Sequence, residues 1–305
     1  MAHATTTQIA LAQAAQRQDT LYSIAWRQFR KHRPAIMGMC VLALLVMGAI
    51  SVPIATNYDP GQTHILDKYL SPSLEHPMGT DGLGRDLLVR AMEGGRISLL
   101  IGLSAMLLAV TFGTLVGAMA GFYGGMVDNI LMRFADIMLT MPTLFVAILL
   151  TQLLRAGVIP FLSAGIMPIV LVIAVTSWMS VSRVVRAAYL SIKQKEFIEA
   201  ARCAGARNWR IIVRHILPNA MSPIIVAATL RIGAAIITES GLSYLGFGVQ
   251  PPTPSWGNML NNAQSELDYA PWTALFPGVF IFLTVISVNY IGDGLRDALD
   301  PHHVE

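Results

Sequence analysis

The sequence predicts an all-α, polytopic membrane protein with six transmembrane helices. Three observations carry this. Apolar residues make up 54% of the chain and charged ones only 13%. The apolar residues gather in charge-poor blocks near the roughly 20 residues that a helix needs to cross the hydrocarbon. Lys and Arg gather beside alternate blocks, as topology signals do. A soluble domain has no interior large enough to hide such blocks.

The chain divides into a cytoplasmic tail with an interfacial helix (1–34), a first span with its outer loop (35–96), a five-helix core (97–291) and a cytoplasmic carboxyl tail (292–305). In the first stretch, Arg27, Arg30, Lys31 and Arg33 crowd the first apolar block, and no small-residue cleavage site follows a short core. That fits an uncleaved end rather than a signal peptide. Tyr22, Trp26 and Phe29 recur at helical spacing, a stripe suited to lying on the inner leaflet. Residues before Leu21 read as a disordered tail.

The spans are expected at Ala35–Ile54, Ile97–Gly121, Ile130–Leu154, Ile166–Ser182, Asn219–Glu239 and Trp272–Ile291. Five basic residues precede the first span and eight lie between Arg183 and Arg214, whereas the outer loops hold Lys68, Arg85, Arg90, Arg96 and Arg155. The bias puts both termini in the cytoplasm, and an even number of spans agrees. The net charge of +3 therefore reflects topology, and no nucleic-acid partner is expected. Cys40 and Cys203, the only two cysteines, are too few for a disulfide or metal framework and read as packing residues.

Ala105, Ala109, Gly113, Gly117 and Gly121 form a small-residue ridge along the second span. It serves close packing either inside this bundle or against a second membrane subunit. In the third span Arg133 and Asp136 stand at pairing distance on a helix, and Pro142 is expected to kink it.

Ionisable groups deep in a span cost about 2.5–3.5 kcal/mol, so each needs a reason. Arg231 sits mid-span; Glu239 follows eight residues later, roughly 80° around and about 12 Å along the helix, too far for a direct pair. Arg231 therefore either faces a water-filled path, where it meets a substrate carboxylate, or pairs with a partner subunit. Arg231, Glu239 and Asp136 are the candidates for a translocation path.

The segment Lys195–Pro218, KEFIEAARCAGARNWRIIVRHILP, is a long polar interruption rich in helix formers. Gly205 supplies a turn and Pro218 closes the segment, which predicts two short helices meeting at a bend on the basic side of the membrane. Such a knuckle, fixed at both ends to spans, can transmit force from a soluble partner.

Two outer loops stand out. HPMGTDGLGRDLLVRAMEGGR (His76–Arg96) mixes glycine turns with Asp81, Arg85 and Asp86 and then runs as a helix into the second span. QPPTPSWG (Gln250–Gly257) is stiffened by three prolines and either shields a cavity mouth, meets a delivery protein or caps the fold. At the carboxyl end, GDGLRDALDP begins where Gly292 and Gly294 are expected to stop the sixth span, with Asp293, Arg296, Asp297 and Asp300 pairing locally.

No Gly-Lys-Ser/Thr phosphate loop, H-E-x-x-H or G-x-S-x-G motif occurs, and the seven histidines are scattered or terminal. The sequence thus points to no catalytic residue, no metal site and no enzyme. An ion-coupled secondary transporter using Asp136, Arg231 and Glu239 as relay groups is the competing reading, but it expects an inverted repeat that is not visible.

Four motifs in order, Gly79-Thr80-Asp81 with Gly84-Arg85-Asp86, the Glu199–Pro218 knuckle, QPPTPSWG and GDGLRDALDP, resemble the second, C-type membrane subunit of the dipeptide, oligopeptide and nickel ATP-binding-cassette importers. The knuckle is similar to the E-A-A-x-x-x-G pattern with an Ile-x-Leu-Pro ending; the departure is His215 at the Ile position, with Ile216 beside it. The resemblance covers about Trp26 to Pro301 and implies a type I importer permease fold in a bacterial inner membrane. It further implies that Glu199, Ala200, Ala201, Arg202, Gly205, Leu217 and Pro218 dock into an ATPase, and that Trp256, Arg85 and Asp86 are candidates for meeting a binding protein outside. The implied partners are a homologous second permease, two ATP-binding subunits holding ATP and Mg, a periplasmic or lipid-anchored peptide-binding protein, and membrane lipid. Related importers carry dipeptides, longer peptides, glutathione or nickel chelates.

Overall fold

The computed structural model describes residues 21–56, 63–157, 160 and 163–299, with side chains from residue 26 onward, and within them the chain is helical. A short helix α1 (Leu21–Lys31) leads across His32 into α2 (Arg33–Ala55). The His32 ring accepts from the Ala35 amide and caps that start. Then come α3 (Leu87–Tyr123), α4 (Gly125–Thr140), α5 (Thr143–Arg155), α6 (Met167–Lys193) and α7 (Glu196–Cys203). The chain finishes with α8 (Asn208–Tyr244), α9 (Trp256–Ala263) and α10 (Trp272–Leu299). Among the described residues, five helices (α2, α3, α6, α8 and α10) are long and apolar enough to cross a membrane, and α4 with α5 makes a sixth span if the bent pair counts as one.

The second span is longer than its apolar core because Asp86 caps it early. Its carboxylate accepts from the Val89 amide at 3.0 Å, and the helix runs unbroken for 37 residues. The small-residue ridge faces α6 inside this chain. A Cβ on Gly113 would stand 2.7 Å from the Trp178 carbonyl, and those on Gly117 and Gly121 would press on the backbones at Ser182 and Arg186. Ala105 packs with Ile169 and Ile173 of α6. Of the two readings of the ridge, the structure realises close packing within the bundle.

Several expectations are corrected. Pro142 does more than kink the third span: Met141 is extended, as residues before proline tend to be, and the two halves meet at 94°. Asp136 pairs with Arg183 of α6 rather than Arg133, and Asp128 pairs with Arg186, so α4 is pinned to α6 from its own face. Gly292 and Gly294 do not end the last span, which continues to Leu299. Gly294 lets α2 and α1 approach, since a Cβ there would stand 2.5 Å from Ala35 and 3.2 Å from the Phe29 ring. Asp297 lies 3.7 Å from His32 rather than pairing within its own turn. Cys40 and Cys203 are exposed rather than packed.

In α1, Trp26 is exposed while Phe29 is buried and stacked on it. The side chain of Tyr22, the tail before Leu21, Asp300 and the residues after it lie outside the described residues. Ile130, Phe134, Ile137, Phe145 and Leu149 of the bent pair point outward, an apolar surface that water alone does not accommodate.

Candidate coupling site and polar clusters

The knuckle is built on a glycine-capped helix end. α7 closes with the Ala206 amide on the Ala201 carbonyl and the Gly205 amide on the Arg202 carbonyl, both near 3.0 Å, with Gly205 at φ +79°. This pairing of two reversed bonds around a left-handed residue suits glycine, which lacks the Cβ that disfavours it. Nothing lies within 4 Å of a Cβ added to Gly205.

α7 is anchored to the bundle by its one buried side chain, Ile198, which packs with Phe122, Tyr189, Ile192, Ile211, Ile212 and Ile216. The Tyr189 hydroxyl donates to the Ile212 carbonyl, Lys193 donates to the Phe122 carbonyl, and the Arg202 guanidinium stands 5.9 Å over the Phe122 ring. The feet of α3, α6 and α8 therefore hold α7 from three sides. Its outer surface is free: Glu199, Ala200, Arg202 and Gly205 are exposed and Ala201 is half-buried.

The expected second short helix is instead the foot of the next span. Asn208–Arg210 is α-helical, Ile211–Ile216 widens into a π turn, Leu217–Ala220 tightens into a 3-10 turn, and the chain runs on to Tyr244. Pro218 has no N–H and its ring crowds the preceding turn, and the change of helical pitch absorbs both effects without a break. The Asn219 side chain donates to the His215 carbonyl at 2.7 Å, another carbonyl in this loosened stretch. Leu217 is half-buried beneath the knuckle and Pro218 is exposed. Sequence reasoning missed Phe197 and Trp209, whose rings are 40% and 68% exposed on either side of the Gly205 turn; an aromatic in a polar, surface-facing segment was the available signal.

The three path candidates do not come together. Arg231 lines a 530 Å³ cavity bounded by Ser180, Val184, Ser222, Val226, Leu299 and a second guanidinium, Arg296, that the sequence had assigned to local ion pairs. Asp136 is engaged with Arg183. Glu239 is fully buried and sits in a knot of serines. Ser243 donates to one carboxylate oxygen at 2.7 Å and Ser98 to the other at 2.9 Å, while the Trp256 amide donates to Ser98 Oγ at 3.3 Å. The knot ties α3, α8 and the start of α9 together, so Glu239 holds packing in place and does not face the cavity of Arg231.

The outer candidates are also corrected. Trp256 is 2% exposed, stacks on Phe280 and donates its indole N–H to the Ala91 carbonyl at 2.8 Å. It is an internal anchor rather than a docking residue. α9, which it begins, was not foreseen; Ser255 and Asn258 cap it reciprocally. Asp86 is spent on the α3 cap and lies 2.9 Å from His76. Arg85 donates to Asp81 at 2.8 Å and lines a cavity at the end of the bundle away from the knuckle.

Comparisons with known proteins agree with this architecture. Residues 113–303 match the family of binding-protein-dependent transport system inner membrane components, and residues 20–72 match the N-terminal TM domain of oligopeptide transport permease C. The oligopeptide transport system permease protein OppC of Bacillus subtilis is 40% identical over 92% of this chain and 90% of its own. The dipeptide transport system permease protein DppC of Alkalihalophilus pseudofirmus is 40% identical over 91% and 88%. The glutathione transport system permease protein GsiD of Escherichia coli is 42% identical over 90% and 89%. Among solved structures, the MetNI methionine ABC transporter in an inward-facing form superposes with a TM-score of 0.57 at 19% identity, over 68% of this chain and 94% of that one, a likeness of fold. Five long apolar helices with a bent pair among them, a knuckle between α6 and α8, and relatives matched along almost their whole length make this chain a member of the inner-membrane permease family of binding-protein-dependent ABC transport systems, in its oligopeptide permease C branch.

Proposed function

We propose that this chain forms half of the translocation path of an ATP-driven importer of dipeptides or short oligopeptides, and that Glu199, Ala200, Ala201, Arg202 and Gly205, supported by Leu217 and Pro218, seat an ATPase. The observation that carries the reading is the knuckle: a short, outward-facing helix whose only buried side chain is locked among the feet of three spans. Moving a gate from about 1:99 to 99:1 takes roughly 5.5 kcal/mol of differential binding. A rigidly held knuckle delivers that to the bundle, whereas a loop would dissipate it.

The remaining parts follow. A homologous permease packs on the outward apolar surface and completes the path; two ATP-binding subunits hold ATP and Mg; a periplasmic or lipid-anchored protein delivers the peptide. The excess of Lys and Arg on the knuckle side supports a cytoplasmic location for that side and for both termini. Arg231, now with Arg296, meets the cargo carboxylate on the inner part of the path. Glutathione, itself a small peptide, and nickel chelates are the alternative cargoes. A proton or ion relay is disfavoured because its three groups are dispersed, with Asp136 on Arg183 and Glu239 in the serine knot. The test is uptake of a labelled dipeptide in cells carrying or lacking this chain. Uptake that survives collapse of the membrane potential and stops on ATP depletion supports the reading; the reverse pattern refutes it.

A further inference from the structure

At the end away from the knuckle, a cavity of 530 Å³ opens between the segment before α3 and the one around α9, within the roughly 300–1,000 Å³ of small-molecule sites. Its two charged walls are unlike. On one, the buried Asp81 accepts from Arg85 and lies 3.5 Å from the buried Arg90. On the other, the Tyr69 hydroxyl donates to the buried Glu266 carboxylate at 3.4 Å. Asn262 and Ser265 add neutral polar groups to the lining.

The backbone is arranged to keep this space open. Tyr69 sits at φ +54°, a conformation that a bulky residue holds only when its surroundings impose it. Its amide donates to the Asp81 carbonyl at 3.3 Å, and its ring stands edge-on to Tyr269 at 4.9 Å. The hydroxyl and the Glu266 carboxylate then reach over Gly82, where an added Cβ would stand 2.5 Å from one and 2.7 Å from the other.

We propose that this outer cavity binds a short peptide as a zwitterion, its carboxylate on the side of Arg85 and Arg90 and its ammonium on the side of Glu266 and Tyr69. The inference deepens the reading of the chain as a peptide importer subunit and rests on it; it adds a selective contact on the permease itself, outside the path cavity of Arg231.

The test is equilibrium binding of radiolabelled L-alanyl-L-alanine to inner-membrane vesicles holding the intact transporter and stripped of soluble protein. The expected result is saturable binding, with the N-acetylated and the C-amidated dipeptides about tenfold weaker or worse as competitors, since each lacks one charge partner. Glu266→Gln should narrow the gap for the N-acetyl form, and Gly82→Val, which obstructs the cavity, should abolish binding, with permease content checked by immunoblot. Absence of saturable binding in vesicles whose ATP-driven uptake is normal once binding protein is restored overturns the cavity proposal alone. Binding that is indifferent to both substitutions overturns it too, because the peptide then sits elsewhere. Vesicles that neither bind the dipeptide nor take it up under any energisation overturn the importer reading and this proposal with it.

Discussion

Replacing Gly205 by Val separates the shape of the knuckle from its chemistry. A Cβ at this position touches nothing within 4 Å in the chain, so the cost is confined to the backbone. Holding an L-residue at φ +79° costs roughly 1–2 kcal/mol, more for a β-branched one and less for Asn, whose side chain tolerates the region. That is small beside the 5–15 kcal/mol or so that stabilises a folded domain, and the bundle and its insertion stay intact. It is enough to displace the two reversed bonds at Ala201 and Arg202 and shift the population of the capped end by about tenfold. ATP-driven dipeptide uptake should therefore fall by roughly that factor for Gly205→Val, with Gly205→Asn falling between it and the wild type and membrane content equal in all three. Uptake is read in whole cells, and content by immunoblot of washed membranes. Full uptake by Gly205→Val refutes the reasoning, because it means that the turn's shape is not read by anything. Loss in Val and Asn alike points to a partner's surface lying against Gly205 instead.

Three further outcomes are expected. Glu239→Ala strips the acceptor from Ser98 and Ser243 and should cost about 1–3 kcal/mol, seen as a lower melting temperature of the solubilised transporter; Glu239→Gln, which keeps an acceptor, should cost less. Gly113→Val drives a side chain into the Trp178 carbonyl and Val181 and should cost about 1–3 kcal/mol, reducing the folded permease recovered from membranes. Burial lifts the Glu266 carboxyl above its usual 4.5, and a hydrogen bond from Thr273 opposes the lift. A raised acid adds stability that is complete below 4.5 and lost as pH climbs through the folded value, so the protection factors of residues 264–271, taken against the unstructured-peptide exchange rate at each pH, should fall from acid toward neutral pH, and Glu266→Gln should remove that fall.

The spans were legible because hydropathy acts one segment at a time, and Gly205 was legible because a glycine after a run of helix formers has few other uses. The ridge from Ala105 to Gly121 gave its spacing but not its partner, since a small face fits α6 and a second subunit alike. What could not be read joins residues far apart in the chain. The serines that hold Glu239 come from positions 98 and 243, and no local pattern connects 98 to 239. Arg183 and Arg186 contribute to the basic bias of their segment, yet they grip Asp136 and Asp128 across two helices. Pro218 misled because its cost is local, whereas the π turn that absorbs it depends on Ile211, Ile212 and Ile216 being packed in the core. Trp256 looked like a loop-tip aromatic until the hollow formed by Ala91 and Phe280 received it.

The central claim concerns what touches α7. A photo-cross-linking amino acid at Phe197, which is exposed beside Glu199, and another at Leu267, which is exposed on the outer loop, would be activated in membranes of cells making the whole transporter. Adducts with the ATP-binding subunit from position 197, altered in yield when nucleotide is trapped, and none with that subunit from position 267, are the predicted result. An ATPase adduct from position 267, or an adduct of position 197 with the delivery protein, would contradict it.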